Sequence, residues 1–300
     1  MRVGIQIALL TAGFAGAYAA MRQIPASNCN FLHYEQTVVT ADGLQFCGSG
    51  AAYFVDLDQL PFPVTVNLTS DHTPAVGVET HYTLSLELEH PLDDEKKLRA
   101  SQLAISQTRP LHLLVVDEQL EDYQHIHPVP VGETGDWTFS FTPKRAGNYR
   151  VYAQFIPTSS MREMIGEAKI SVLGEVAPAV HRGLAPFKDD GYVYTLKSSE
   201  SPVTAGTEVT LTLTVQRADG GAVQLQDIMG TLAHLVAFDP ARNGVAHLHP
   251  TLTNQEKNPT QPSLAFVINF TQPGNYRVWG QVKIGDRERY VPFDVEVGKG

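Results

Sequence analysis

The segment Leu111-His-Leu-Leu-Val-Val-Asp117 recurs near the C-terminus as Ala233-His-Leu-Val-Ala-Phe-Asp239. Each copy carries one histidine inside an apolar run and is followed by a His-x-His-Pro motif, first at 125–128 and then at 247–250. In both copies the lone histidine precedes the motif by 13 residues. Equal spacing within two similar segments predicts a duplicated domain.

Segments in which apolar and polar residues alternate lie on both sides of each copy, and this period of two is typical of strands with one buried face. They correspond in order between the two halves of the chain: 81–89 with 207–215, 137–142 with 264–271, and 146–152 with 273–279. Leu111–Val116 is apolar on both faces, which favours a central strand. We therefore predict an all-β fold with two tandem sandwiches.

The two halves differ by one insertion. Their offset is 122 residues at the histidines, from His112 to His234, and 127 residues at a later Gly-Asn-Tyr-Arg-Val block, from Asn148 to Asn275. The extra residues fall in 251–262, a polar loop that tolerates insertion. The predicted segments are a hydrophobic N-terminus (1–21), a cysteine-containing extension (22–63), a first sandwich (64–173), a linker (174–191) and a second sandwich (192–300).

The N-terminal segment has no charged residue from Val3 to Met21 and is flanked by Arg2 and Arg22. As a helix it would span roughly 28 Å, close to the hydrocarbon thickness of a bilayer. It is either a signal peptide, cleaved after Ala17-Tyr-Ala19, or an uncleaved transmembrane helix. Both alternatives predict that the sandwiches lie outside the cytoplasm, on the periplasmic side of a membrane.

The chain has two cysteines, Cys29 and Cys47, which lie 18 residues apart just after the hydrophobic segment. In an oxidising compartment we expect them to form one disulfide, worth on the order of 3 kcal/mol. The alternative is a soft-metal site built from both cysteines and His33.

The repeated histidines could ligate metal. Two histidines in a His-x-His strand share one face with Cα atoms about 6.5–7 Å apart, so both can reach one ion. A third histidine from a strand paired as a hairpin would complete the set, and neutral imidazoles suit Cu(II) or Zn(II). The candidate ligands are His112, His125 and His127 in the first copy, and His234, His247 and His249 in the second. Asp117 and Asp239 also recur and could orient these imidazoles.

A structural interpretation of the same histidines stays open. A histidine in an apolar strand is often a core residue bonded to a backbone carbonyl, and a duplicated domain copies such residues too. The other histidines have no counterpart in the repeat, and we expect them at the surface: His33, His72, His81, His90 and His181.

Composition and motifs exclude several classes of function. A net charge of −10 and a pI near 5.5 argue against a general nucleic-acid or anionic-membrane surface. The chain has no nucleophile-elbow, zinc-protease, phosphate-loop or dinucleotide-binding motif. We therefore expect a protein that is not an enzyme.

The Gly-Asn-Tyr-Arg-Val blocks resemble the corner before strand F of immunoglobulin-like domains, in which a tyrosine hydroxyl bonds back across the turn. Tyr149 and Tyr276 occupy that position, whereas Val151 and Val278 replace the cysteine of antibody domains. Together with the histidine motifs, the blocks are similar to exported bacterial Ig-like domains found in metal-handling proteins. The resemblance implies two Ig-like sandwiches and a role in handling metal.

Two functions follow as expectations. The first is a membrane-tethered structural subunit that docks on a membrane protein complex, such as a respiratory or photosynthetic one, through its sandwich faces and the 22–63 extension. The second is a soluble periplasmic protein that binds copper or zinc through the repeated histidines.

Overall fold

A computed structural model describes residues 6, 10–16, 18, 36–40, 43–47, 52–58, 62–89 and 96–300. The chain divides into a unit of residues 1–34, in which residues 10–16 are helical, and a unit of residues 35–300, which contains the strands. None of the helices formed by the described residues combines the length and the hydrophobicity needed to cross a bilayer. The predicted disulfide lies outside the described residues, because Cys29 is not among them.

Among the described residues, the first sandwich contains eight strands in its two sheets, a short ninth strand (β7) outside them, and one short 3-10 helix, Ala100–Gln102. The strands are β5 (Val64–Ser70), β6 (Thr80–Leu88), β7 (Ile105–Ser106), β8 (Leu111–Val116), β9 (Tyr123–Ile126), β10 (Val129–Pro130), β11 (Asp136–Phe141), β12 (Gly147–Phe155) and β13 (Met164–Val172). One sheet has the order β10-β11-β6-β5 and the other β13-β12-β8-β9.

The second sandwich repeats this order. Its strands are β14 (Phe187–Asp189), β15 (Tyr192–Ser198), β16 (Val203–Thr204), β17 (Glu208–Arg217), β18 (Leu225–Gln226), β19 (Ala233–Phe238), β20 (Gly244–Leu248), β21 (Leu252–Thr253), β22 (Ser263–Asn269), β23 (Gly274–Ile284) and β24 (Arg287–Gly298). One sheet runs β14-β15-β17-β22-β21 and the other β16-β24-β23-β19-β20. The first strand, β14, lies within the segment predicted as linker.

Both sandwiches have the Ig-like arrangement of two packed sheets, which are antiparallel apart from the short parallel pair of β16 and β24, and the tandem repeat predicted from the sequence is confirmed. The corner tyrosines also behave as predicted. The Tyr149 hydroxyl donates to the backbone carbonyl of Arg145 at 3.1 Å, and the Tyr276 hydroxyl donates to the carbonyl of Gln272 at 2.9 Å. Each bond spans four residues, so the two corners are equivalent.

The described residues of the extension before the first sandwich form four strands: β1 (Gln36–Thr40), β2 (Gly43–Cys47), β3 (Ala52–Tyr53) and β4 (Val55–Asp56). β1 and β2 form a hairpin, whereas β3 and β4 add to the edges of the second sandwich. β4 pairs with β20, where Val245 lies opposite Val55, and Phe54 enters the second core. β2 also pairs in parallel with β7, where Gln45 lies opposite Ile105, so the extension contacts both domains.

The two sandwiches pack face to face through the sheets that contain β8 and β19. Along β8, Leu111, Leu113 and Val115 point into the first core, whereas Leu114 and Val116 join an apolar cluster shared with the second sandwich. β19 alternates in the same way, with its outer residues in the shared cluster. All six residues of each strand are buried. Both faces of these strands are apolar because one covers a domain core and the other covers the neighbouring domain.

The interface has approximate two-fold symmetry. Arg277 donates a hydrogen bond across it to the carbonyl of Leu120, and the equivalent Arg150 donates to the carbonyl of Arg242, which is the counterpart of Leu120. Leu120 and Arg242 both have positive φ, at 60° and 59°, in the turns that follow β8 and β19. Such reciprocal contacts are characteristic of an isologous interface.

Candidate functional site

The histidines of the first repeat converge because β8 and β9 form the predicted hairpin. In its register Leu114 lies opposite His125, which places His112 next to the His-x-His motif on the same outer face. In the resulting group the candidate ligand atoms of His112, His125 and His127 all lie within 4.8 Å of one another. We call this group the first triad.

The first triad presents three imidazole nitrogens to one point. Nδ1 of His112 lies 3.1 Å from Nε2 of His125 and 3.1 Å from Nε2 of His127. Two nitrogens bound tetrahedrally to one ion at 2.0–2.1 Å are about 3.3 Å apart. The observed spacing therefore suits a shared metal ion after an outward shift of a few tenths of an ångström.

In His112 and His125 the ring nitrogen that points away from the centre of the triad makes a hydrogen bond, and this bond determines the protonation of the nitrogen that points toward the centre. Nε2 of His112 lies 2.9 Å from the carbonyl oxygen of Ser106, and Nδ1 of His125 lies 3.0 Å from Oε1 of Gln281. A carbonyl oxygen accepts only, so each of these nitrogens carries the proton of a neutral ring. The opposite nitrogens therefore present lone pairs, and two lone pairs that face each other are what a metal ion would bridge.

The second repeat forms an equivalent group, the second triad, in which the candidate ligand atoms of His234, His247 and His249 also lie within 4.8 Å of one another. Nδ1 of His247 is 2.8 Å from Oε1 of Gln154, which assigns the proton to Nδ1 and a lone pair to Nε2. Both ring nitrogens of His234 and Nε2 of His247 and His249 are buried without a hydrogen-bond partner among the described residues. Buried nitrogens without partners are costly unless a ligand satisfies them.

The two triads touch across the domain interface. The ring centroids of His125 and His247 are 4.9 Å apart, those of His125 and His234 are 5.2 Å apart, and those of His112 and His247 are 5.8 Å apart. The six imidazoles therefore form one continuous cluster, half from each sandwich. His127 is only partly buried and lines an open groove on the first sandwich.

Two glutamines connect the triads crosswise. Gln281, in the second sandwich, accepts from His125 of the first triad, and Gln154, in the first sandwich, accepts from His247 of the second triad. The amide of Gln281 donates to Oε2 of Glu288 at 2.9 Å, and that of Gln154 donates to Glu163. Because a carboxylate only accepts, these bonds fix each amide with its oxygen toward the imidazole.

The surroundings keep the imidazoles neutral. Burial, followed by the charges of neighbouring imidazoles, holds the pKa of His125, His234 and His247 well below the ordinary value of 6.5. Burial lowers the pKa of His127 and of His249 to about 3. Burial also lowers the pKa of His112. At neutral pH each of the six imidazoles is therefore available as a ligand, because a metal binds the neutral ring.

The aspartates of the repeat do not orient the histidines, so that prediction is wrong. Asp117 accepts hydrogen bonds from the backbone of Glu121 at 2.6 Å and of Asp122 at 2.9 Å. Asp239 accepts from the backbone of Ala241 and Gly244. Both carboxylates cap the turn after a histidine strand, because a short acidic side chain there reaches free N–H groups.

The side chains that accept from His125 and His247 are instead the two glutamines, which the sequence reasoning missed. A signal was present, because Gln154 and Gln281 follow the two Gly-Asn-Tyr-Arg-Val blocks at the same distance, each as a polar residue in an apolar strand. The predicted surface histidines are exposed where the structure describes them: the side chains of His72, His81 and His181 are 42%, 64% and 67% exposed.

A family model described as "Domain of unknown function (DUF8832)" matches residues 63–169 and again 187–299. No curated protein matches the chain. Two similar solved structures are an ICAM-5 D1-D4 ectodomain fragment, at 13% identity and a TM-score of 0.24, and a DUF4785 family protein from Legionella pneumophila, at 11% identity and a TM-score of 0.24. The matches cover 78% and 79% of this chain but 54% and 57% of those proteins, so the chain spans little more than half their length.

Proposed function

We propose that this chain, which belongs to the DUF8832 family and carries two copies of its domain, binds transition-metal ions at the six-histidine cluster. The observation that carries the proposal is twofold: Nδ1 of His112 and Nε2 of His125 face each other as lone pairs in the first triad, and buried imidazole nitrogens of the second triad lack hydrogen-bond partners among the described residues.

The donor set favours copper or zinc. Neutral imidazole suits Zn, Cu, Fe and Ni, whereas Mg and Ca prefer oxygen. Copper stands above the other divalent ions of the first row in intrinsic affinity for nitrogen sites. Each triad offers three nitrogens, which is the number that zinc takes from the protein where it keeps one further position for water or another ligand.

Metal content tests the proposal. The full chain, purified without a histidine tag and dialysed against excess Cu(II) or Zn(II) and then against buffer, should retain two ions per chain by elemental analysis. The double variant His125→Ala/His127→Ala should retain one, because it removes two of the three ligands of the first triad. His81→Ala is the matched control, because it removes an imidazole from an exposed position. A wild-type chain without bound metal, or a loss of metal in His81→Ala, would exclude the proposal.

A role as a membrane-tethered subunit of a larger complex stays a prediction, as does placement of the sandwiches on the periplasmic side. Co-purification with an intact membrane complex after mild detergent extraction would support that role. A mature protein that is processed at the N-terminus and found free of such complexes would contradict it.

A further inference from the structure

The crossed glutamines carry a second inference, which rests on the proposed metal binding. We infer that each triad is completed by the opposite sandwich: Gln281 is the positioning residue for the first triad, and Gln154 is the positioning residue for the second. Docking of the two sandwiches then strengthens metal binding at both triads, and by linkage bound metal favours the docked arrangement.

The surroundings of the two glutamines support the inference. Gln281 is fully buried, and its amide is held from the far side by Oε2 of Glu288 and by the hydroxyl of Tyr290, each at 2.9 Å. Gln154 is partly buried, and its amide donates to Glu163, which lies before β13 as Glu288 lies at the start of β24. The arrangement is thus repeated in both domains, with the direction of the contact reversed.

The chemistry of the contact explains what these residues do. An acceptor on Nδ1–H fixes the ring orientation and the tautomer of a ligating histidine and makes Nε2 more basic. The acceptor is itself polarised, because its amide donates to a carboxylate. Loss of such an acceptor typically lowers metal affinity about 10–100-fold.

The strand registers supply the opposing hypothesis. Within its own domain Gln154 lies directly opposite His112, and Gln281 lies directly opposite His234. If the glutamines acted through these neighbours, each would support the triad of its own sandwich. The crossed and the local hypotheses therefore predict opposite effects for the same substitution.

The experiment uses the full chain with only one triad intact. In the background His234→Ala/His249→Ala, only the first triad remains, and Co(II) titration followed by visible absorption reports its affinity and ligand field. Gln281→Met, which removes the acceptor but keeps the length of the side chain, should weaken Co(II) binding about 10–100-fold. Gln154→Met in the same background is the comparison, and the crossed arrangement predicts a much smaller effect for it, because Gln154 bonds to His247 of the disabled triad.

The reciprocal background, His112→Ala/His127→Ala, keeps the second triad and should reverse the roles of the two glutamines. Circular dichroism checks that each variant is folded. Equal effects of both glutamines, no effect of either, or the local pattern would overturn the inference while leaving metal binding intact. Absence of Co(II) binding in the wild-type chain would instead reject the proposed function, so the two failures are distinguishable.

Discussion

Replacing Arg277 with leucine should destabilise the protein at the end of the interface that carries the ion pairs. The Arg277 side chain is 5% exposed, and its guanidinium group bonds to two backbone carbonyls and two carboxylates. It donates to the carbonyls of Leu120 and Val180, each at 2.8 Å. It also pairs with Asp294 at 2.6 Å and with Glu121 at 3.1 Å. Leucine would remove these hydrogen bonds and ion pairs and leave the buried acceptors with fewer partners.

The magnitude follows from the partners that remain. Removing one member of a buried ion pair typically costs about 3–5 kcal/mol. Arg182 still binds Glu121 at 2.7 Å, and Asp294 still accepts from the backbone of Arg182 and Gly183, so we expect the lower value, about 3 kcal/mol. At about 2–4 °C per kcal/mol, the midpoint of thermal unfolding should fall by roughly 6–12 °C.

Urea unfolding followed by circular dichroism measures this loss, with Arg150→Leu as the matched control. Arg150 is the symmetry-related arginine, but its side chain is 18% exposed and its partner Glu167 is 36% exposed. Solvent weakens that pair, so the control should lose only about 1 kcal/mol. A free energy of unfolding for Arg277→Leu within about 0.5 kcal/mol of wild type, or equal losses in both variants, would refute this reasoning.

Three further predictions concern metal, pH and the extension. Zn(II) at 100 times its dissociation constant should raise the free energy of unfolding by about 2.7 kcal/mol per site. Calorimetry should show half of the total gain in the variant His125→Ala/His127→Ala, which keeps one site. Contacts with arginines lower the pKa of Glu121 from 4.5 to about 2 despite its burial. The ionised carboxylate therefore stabilises the folded protein by about 3 kcal/mol above pH 4.5, and this contribution is lost as the pH falls toward 2. The stability difference between wild type and Glu121→Gln should therefore narrow over that range in acid titrations, and a constant difference would argue against it. A Cβ at Gly244 would clash with the backbone carbonyl oxygen of Val55. Gly244→Ala should therefore release β4 and increase hydrogen exchange in residues 52–57, and unchanged exchange would contradict the described pairing.

The repeat made much of the fold predictable. Alternation gives the strands, and the His-x-His motif places two imidazoles on one face, so the hairpin and the composition of each triad follow from local rules. The apolarity of both faces of Leu111–Val116 indicated full burial, but periodicity cannot tell what covers a face. The covering surface is the second sandwich, and the choice of that partner depends on contacts between residues far apart in the chain.

The same limit explains what was missed in the site. Gln281 lies 156 residues from His125, and the role of each becomes visible only when the sandwiches dock. Asp117 and Asp239 recur close to the histidines in the sequence, but their carboxylates bond to backbone N–H groups of the next turn instead. Proximity in sequence was a poor guide to the second layer of the site, whereas equivalence between the two repeats was a good one.

The central claim is that the two sandwiches jointly hold metal at the six-histidine cluster. X-ray diffraction from crystals grown with Cu(II) or Zn(II), recorded on both sides of the absorption edge of that metal, locates bound ions directly. We predict one anomalous peak in each triad, with Nε2 of His125 and Nε2 of His247 among the ligands. Peaks confined to other positions, or an occupied metal site that lacks these two nitrogens, would contradict the account.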